Sequence, residues 1–294
     1  MTRRTSPTAK ARRVAGTLRE MRERAGMSAA DAARGVDHDA SWISRIERVE
    51  NRPHPNDVRA LLTLYGNLST EAIDAVVAVA RQARQRGWWY RYSDVMPDWF
   101  GHYIGLETDA AMIRTFEAQV VPGLLQTADY ARATILSTAA PDPVDRVEQR
   151  VCLRIERQAL LDADDPPHLR VVLDEAALRR PIGGPKVMGA QIEHLVVMAA
   201  RPNIQIQVLP TAAGIHAGMD GSFVLLDFSP PPAHYPGAAE DRLVYIDTLL
   251  SAIYLEEPGE VAAYAAVFEQ LRAEALPPED SCHLMRTIAA DMSS

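Results

Sequence analysis

Ser28–Glu47, SAADAARGVDHDASWISRIE, reads as two short helices joined by a tight turn. Ser28 is an N-cap residue, and Asp31 stands three places on, where a capping box places an acid. Asp39 is a second N-cap and opens the helix that carries Ser41-Trp42-Ile43-Ser44-Arg45-Ile46-Glu47. A helix that sits in a core on one side and meets DNA on the other needs an apolar stripe opposed by short polar or cationic side chains. By that criterion Val36, Ile43 and Ile46 pack against Leu18, Met21 and Leu61, and the face made by Ala40, Ser41, Trp42, Ser44 and Arg45 is expected in solvent. Ser28 and the serines suit phosphates or base edges, and Arg45 suits guanine.

The flanking sequence extends this pair into a five-helix domain. Val14, Leu18, Met21 and Ala25 recur at helical spacing over Ala11–Ala25, and Gly26 ends that helix. After the loop Asn51-Arg52-Pro53-His54, Pro55 suits a first helical position, with Val58, Leu61, Leu62 and Tyr65 inward. Residues 71–86 form a fifth helix on Ile73, Val76, Val77 and Ala80. Residues 1–10 read as a disordered basic arm, so that Arg3, Arg4, Lys10, Arg12 and Arg13, with Arg48 and Arg52, supply phosphate contacts.

Charge follows the same division. The chain of 294 residues carries a net charge of -8, yet residues 1–92 hold 17 Lys and Arg against 10 Asp and Glu, and the remainder 14 against 29. A basic head on an acidic body assigns the polyanion to the head. An apolar content of 47% and a charged content of 24% are those of a soluble globular protein. There is no apolar run long enough for a membrane span and no apolar segment after the basic start, so no membrane contact and no secretory leader are expected. Two cysteines, Cys152 and Cys282, form no disulfide framework or metal cluster, which fits a reducing cytoplasm.

Residues 87–103, GWWYRYSDVMPDWFGHY, concentrate seven aromatic side chains and are read as a linker that packs rather than stacks on bases. Beyond them, helices are expected at 106–118, 126–138, 144–162, 186–200, 258–275 and 278–291, and strands at His168–Leu173, Ile204–Leu209, Phe223–Phe228 and Leu243–Asp247. The order predicts an α+β domain with a small mixed or antiparallel sheet. The proline-rich loop Ser229–Gly237 is expected at the surface. In Val121-Pro122-Gly123-Leu124-Leu125-Gln126-Thr127 a turn leads to a helix capped by Thr127.

Several acids and one histidine are candidates for ligand or partner contact. Asp174 follows a strand, where it also suits a helix cap; His216 and Asp220 share the loop Gly214–Gly221; Asp247 ends another strand. A histidine among carboxylates can do acid–base chemistry or hold a metal. Against an enzyme, the chain lacks HExxH, CxxC, a phosphate-cradling loop and a nucleophile elbow, so no catalytic residue, metal or cofactor is expected. Gly183-Gly184-Pro185-Lys186 reads either as a plain turn into a helix or as an anion site at its start.

WISRIE, followed by RVENRPHPNDVRALLTLYG, resembles the lambda-repressor-like (XRE) helix-turn-helix domains. RGWWYRYSDVMPDWFGHYIGLETDA, FEAQVVPGLLQTADYARA, VVLDEAALRRPIGG, RPNIQIQVLPTAAGIHAGMDGSF and LVYIDT resemble an actinobacterial group of such regulators, WhiJ-like and antitoxin-like, which carry a C-terminal domain of unknown function. The resemblance implies a cytoplasmic transcriptional regulator, a structural role for Glu47 and a small BldB-like partner protein; it implies no ligand. Asp37 and His38 replace the group's usual glycine and apolar residue in the turn. Ala29 and Ala40 replace glutamines at the helix starts, and the second change removes an amide that reads adenine.

The expected organisation is therefore a basic arm (1–10), a helix-turn-helix domain (11–86), an aromatic linker (87–103) and a regulatory α+β domain (104–294). The expected function is that of a regulator bound as a homodimer to double-stranded operator DNA, its second domain serving dimerisation and the sensing of a partner or ligand. Two other readings stay open: an antitoxin-like module that binds a small partner, and an enzyme built on the His216/Asp220 loop.

Overall fold

The computed structural model describes residues 7–85, 87–138, 143–230, 232–236 and 242–292. These fall into two compact units, one of residues 7–90 with the segment from Phe228 onward, the other of residues 91–227 with the chain from Arg242.

Five helices build the first unit: α1 (Pro7–Arg24), α2 (Ala29–Arg34), α3 (Ala40–Glu47), α4 (Pro55–Tyr65) and α5 (Thr70–Ala83). The first begins at Pro7, so Lys10, Arg12 and Arg13 are helical, while Arg3 and Arg4 lie outside the described residues. Ser28 and Asp31 form the capping box, Asp39 caps α3 through Trp42 N–H, and Ser69 caps α5. Leu18, Ile43, Ile46, Leu61, Leu62 and Val76 are buried together, as the helical spacing predicts. The turn between α2 and α3 places Asp37 at φ 57°, a left-handed conformation that a short polar side chain tolerates better than most.

The second unit is an α+β domain around a six-stranded mixed sheet of order β3-β2-β1-β4-β5-β6. The strands are β1 (Ala110–Glu117), β2 (His168–Asp174), β3 (Ile204–Leu209), β4 (Phe223–Phe228), β5 (Arg242–Asp247) and β6 (Ala252–Leu255). Parallel pairing sets Met112 opposite His168 and Leu169 opposite Ile204; antiparallel pairing sets Val224 opposite Tyr245 and Val244 opposite Leu255. The connections carry α6 (Asp98–Asp109), α7 (Ala128–Thr138), α8 (Val144–Arg157), α9 (Glu175–Arg179) and α10 (Pro185–Met198), and α11 (Pro258–Glu274) and α12 (Pro278–Met292) close the chain. Phe116, Val172, Phe223 and Val244 of the sheet bury against Phe268 and Leu271 of α11.

Two expectations are corrected. Residues 106–118 are the end of α6 and then β1, not one helix. β1 lies inside the sheet, and its consecutive buried residues Ile113, Arg114, Thr115 and Phe116 show no alternation. The hairpin strand β6, too short to show a period, was absent from the expected strands. In the aromatic stretch, a 3-10 helix spans Trp88–Val95 and α6 takes the rest. Trp89 in one unit and Tyr103 in the other are buried.

Candidate nucleic-acid interface

α3 presents Ala40, Ser41 and Arg45 to solvent, with Ser44 partly so. The Arg45 guanidinium is exposed and forms no side-chain hydrogen bond or ion pair with a described residue, with Asp39 and Glu50 near enough to feel its charge. The serines are less free. Ser41 Oγ donates to the Asp39 carboxylate and Ser44 Oγ to the Ala40 carbonyl at 3.3 Å. Each keeps lone pairs, but a donated bond to a phosphate requires the internal one to break.

Trp42 does not belong to the exposed face. It is 8% exposed, and the ring of His38 stacks on it with centroids 3.7 Å apart and planes 10° apart. The first turn of α3 is wide enough in its apolar stripe to take Trp42 as well as Ile43 into the core. His38 covers the indole as a flat ring.

The cations around α3 differ in what engages them. Arg48 chelates Glu50, with Nε 2.7 Å from Oε1 and Nη2 3.2 Å from Oε2. Arg34 pairs with Asp31. Arg13, expected to reach phosphate, donates from Nη2 to the Ser229 carbonyl at 2.9 Å, because the segment after β4 packs on α1 within this unit. There Thr17 Oγ1 also meets Tyr235 OH at 3.2 Å, so the proline-rich loop is exposed along Ser229 and Pro230 yet anchored at Tyr235. Its end at Gly237 lies outside the described residues. Arg12 is half-buried on α1. Arg52 is exposed; partial desolvation and then the neighbouring Arg84 hold its pKa below the ordinary value. Ser28 is exposed at the start of α2, its hydroxyl donating to Asp31 at 2.6 Å.

Behind this face is a group that motif reading missed. Arg22 of α1 grips Glu47 at the end of α3 with two bonds, Nε to Oε1 at 2.6 Å and Nη2 to Oε2 at 2.9 Å, while its Nη1 donates to the Met27 carbonyl at 2.9 Å. Both side chains are 12% exposed. Glu47 is therefore engaged within the protein and ties the end of α3 to α1. Nothing in the spacing of residues 22 and 47 announces the pair.

In the second unit the structure brings together two of the four candidate ligand residues, His216 and Asp174, and not the other two. His216 Nε2 lies 3.4 Å from Asp174 Oδ2, its Nδ1 accepts the Gly218 N–H at 3.2 Å, and its ring meets the edge of Phe116. Asp174 is also the cap of α9, accepting Ala176 N–H at 2.7 Å. A Cβ on Gly218 would stand 2.3 Å from Phe116, so this loop is closed tightly over the sheet. Asp220 is exposed and forms no hydrogen bond or ion pair with a described residue. Asp247 stands at the end of β5, away from the histidine, and burial raises its pKa. No group of three metal-ligating side chains occurs among the described residues.

Next to Asp247, Glu117 at the end of β1 is pushed up to about 7, mainly by burial, with Asp247 adding repulsion and bonds from Ser222 and Thr115 opposing. A raised carboxyl pKa favours the fold while protonated. The stability it confers is complete below the unfolded value near 4.5 and is lost as pH rises through about 7. Chemical denaturation across this window is expected to show a loss of about 1–3 kcal/mol, absent in Glu117→Gln.

Residues 13–76 match the model of a helix-turn-helix domain, and residues 100–287 match the model of a domain of unknown function (DUF5753). No curated protein and no solved structure matches the chain.

Proposed function

From a chain that belongs to the DUF5753 family and carries a helix-turn-helix domain ahead of that domain, we infer a DNA-binding transcriptional regulator. The observation that carries this is the face of α3: an exposed, unpaired Arg45 flanked by Ala40, Ser41 and Ser44 on a helix held rigidly by Glu47. Docked in the major groove, the first turn of α3 lies nearest the bases, and Arg45 pairs with guanine. Arg52, Arg12 and the start of α2 at Ser28 contact the backbone, with Arg48 joining them when it leaves Glu50. Base reading then rests on few side chains, because Ala40 contributes no amide and Trp42 is withdrawn into the core.

A module of this size covers little DNA, so it acts as a homodimer on two half-sites. Support for pairing comes from β6, an edge strand, where Ile253 and, in the turn before it, Leu249 and Leu250 are exposed. The C-terminal domain couples this pairing to a ligand or a small BldB-like partner through different affinity in the two states. The His216 loop is read as structural, since both imidazole nitrogens are engaged within the chain.

A mobility-shift assay on the DNA upstream of the protein's own gene tests the reading. Arg45→Ala is expected to weaken cognate binding by about 1–3 kcal/mol and random DNA much less. Equal losses on both would make Arg45 a phosphate contact. Complete absence of salt-dependent affinity in the intact chain would overturn the function.

A further inference from the structure

An open cavity of about 570 Å³ lies in the second unit beside the carboxyl ends of β1 and β5. Its size falls among small-molecule pockets, about 300–1,000 Å³. Its place follows from the strand order. From β1 the chain adds β2 and then β3 on one side, and afterwards returns to put β4 on the other side of β1. Val120, just beyond β1, and Asp247 and Leu249, at and beyond the end of β5, line the cavity. The ends of β1 and β5 therefore open on the same side of the sheet.

The lining is amphipathic. Trp99 and Phe100 of α6, Ile135 of α7 and Leu153 of α8 form an apolar wall. The charged members are Arg150, Arg154 and Asp247, a net of one positive charge. Arg154 sets the chemistry. Its Nη1 donates to Gln126 Oε1 at 2.7 Å and to Thr134 Oγ1 at 3.2 Å, both neutral acceptors. No described carboxylate comes within ion-pair distance of it, in contrast to Arg157 one turn on, which lies 2.8 Å from Glu107. Burial pushes Arg154 down to about 10, with Arg157 adding repulsion and Asp247 opposing from a distance. A cation partly withdrawn from bulk water at a cavity wall, with no carboxylate at ion-pair distance, favours an anion beside it. Nε and Nη2 of the fork donate to no described residue.

We propose that this cavity binds a small monoanionic carboxylate with an apolar body, the carboxylate received by the Arg154 guanidinium and the body lying against Trp99 and Phe100. A guanidinium fork matches a carboxylate with two parallel bonds. The net charge of the lining suits a single negative charge; a phosphate monoester brings about -1.5 to -2 and would meet Asp247. The inference deepens the sensing role of the C-terminal domain and rests on that reading for its consequence. Binding itself is measured without DNA, so the two fail separately.

The test titrates the full chain with indole-3-acetate, phenylacetate and octanoate, each beside its neutral amide and beside inorganic phosphate, with calorimetry or NMR shifts as readout. The acids are expected to bind at least about tenfold more tightly than their amides, the difference a charge-assisted bond makes. This contrast is read on the unaltered chain and needs no variant to fold. Arg154→Gln is expected to lose about tenfold for acids and nothing for amides, and Arg154→Lys to keep part of the preference. Acids binding no better than amides, no binding up to about 10 mM, or Arg154→Gln matching the unaltered chain would each overturn the proposal.

Discussion

Arg157→Ala is expected to destabilise the C-terminal unit by about 3–5 kcal/mol, the range found when one partner of a buried ion pair is removed. Glu107 is 1% exposed and Arg157 7%, with Nε 2.8 Å from Oε2. Burial already raises the Glu107 pKa despite the guanidinium beside it. Without Arg157 that carboxylate retains, among the described residues, the Tyr103 hydroxyl, which donates to Oε1 at 2.8 Å. The guanidinium is also packing material: it lies over the rings of Phe100 and Tyr103, at 5.3 and 5.6 Å from their centroids. Gly123 in the turn before α7 lets it in, since a Cβ there would stand 2.9 Å from Nη2. Urea denaturation followed by near-UV circular dichroism measures the loss. The paired replacement Arg157→Met with Glu107→Leu is expected to recover most of it, because no lone charge is left buried. A loss below about 1 kcal/mol in Arg157→Ala would mean that the site admits water and the pair is not the anchor of this layer.

These contacts define what sequence could and could not reveal. The helices of the first unit were legible because each signal is local. Ser28 with Asp31, Asp39, Pro55 and Gly26 mark ends, and Leu18, Ile43 and Ile46 mark one face. Trp42 was misplaced because exposure on a short helix depends on how deep the neighbouring helices reach, and because His38 arrives from the turn to cover it. β1 reads as helix in sequence because Ala110-Ala111-Met112-Ile113 carries helix-forming residues and no alternation, while its place inside the sheet depends on pairing with β2 and β4, which lie far along the chain. The cavity was invisible for the same reason. Trp99, Gln126, Arg154 and Asp247 come from four elements, and only Asp247 stood out as a strand-end acid. The enzyme reading of His216 and Asp220 weakens on geometry: they share a loop, but the histidine turns to Asp174 and the loop backbone, and the aspartate to solvent.

The Arg22–Glu47 pair separates the stability of α3 from the chemistry of its exposed face. Arg22→Ala is expected to destabilise the helix-turn-helix unit by about 3 kcal/mol, at the low end for a buried pair since both side chains keep slight access to water. Three bonds disappear together: two to Glu47 and one to the Met27 carbonyl, which holds the corner between α1 and α2. Glu47 then faces the Tyr65 side chain, whose hydroxyl is buried without a partner. Thermal and urea unfolding read the stability loss, and DNA affinity measured well below the melting temperature reads the face. Arg22→Ala is expected to weaken cognate and random DNA alike, through the fraction of folded domain and the tilt of α3, whereas Arg45→Ala leaves stability within about 0.5 kcal/mol and falls mainly on the cognate site. If Arg22→Ala unfolds the unit no more readily than Arg45→Ala, the pair is a surface contact, and α3 must be held by Ile43, Ile46 and Trp42 alone. The two variants together therefore decide whether the orientation of the DNA-facing helix is set by electrostatics across the α1–α3 seam or by the apolar stripe beneath it.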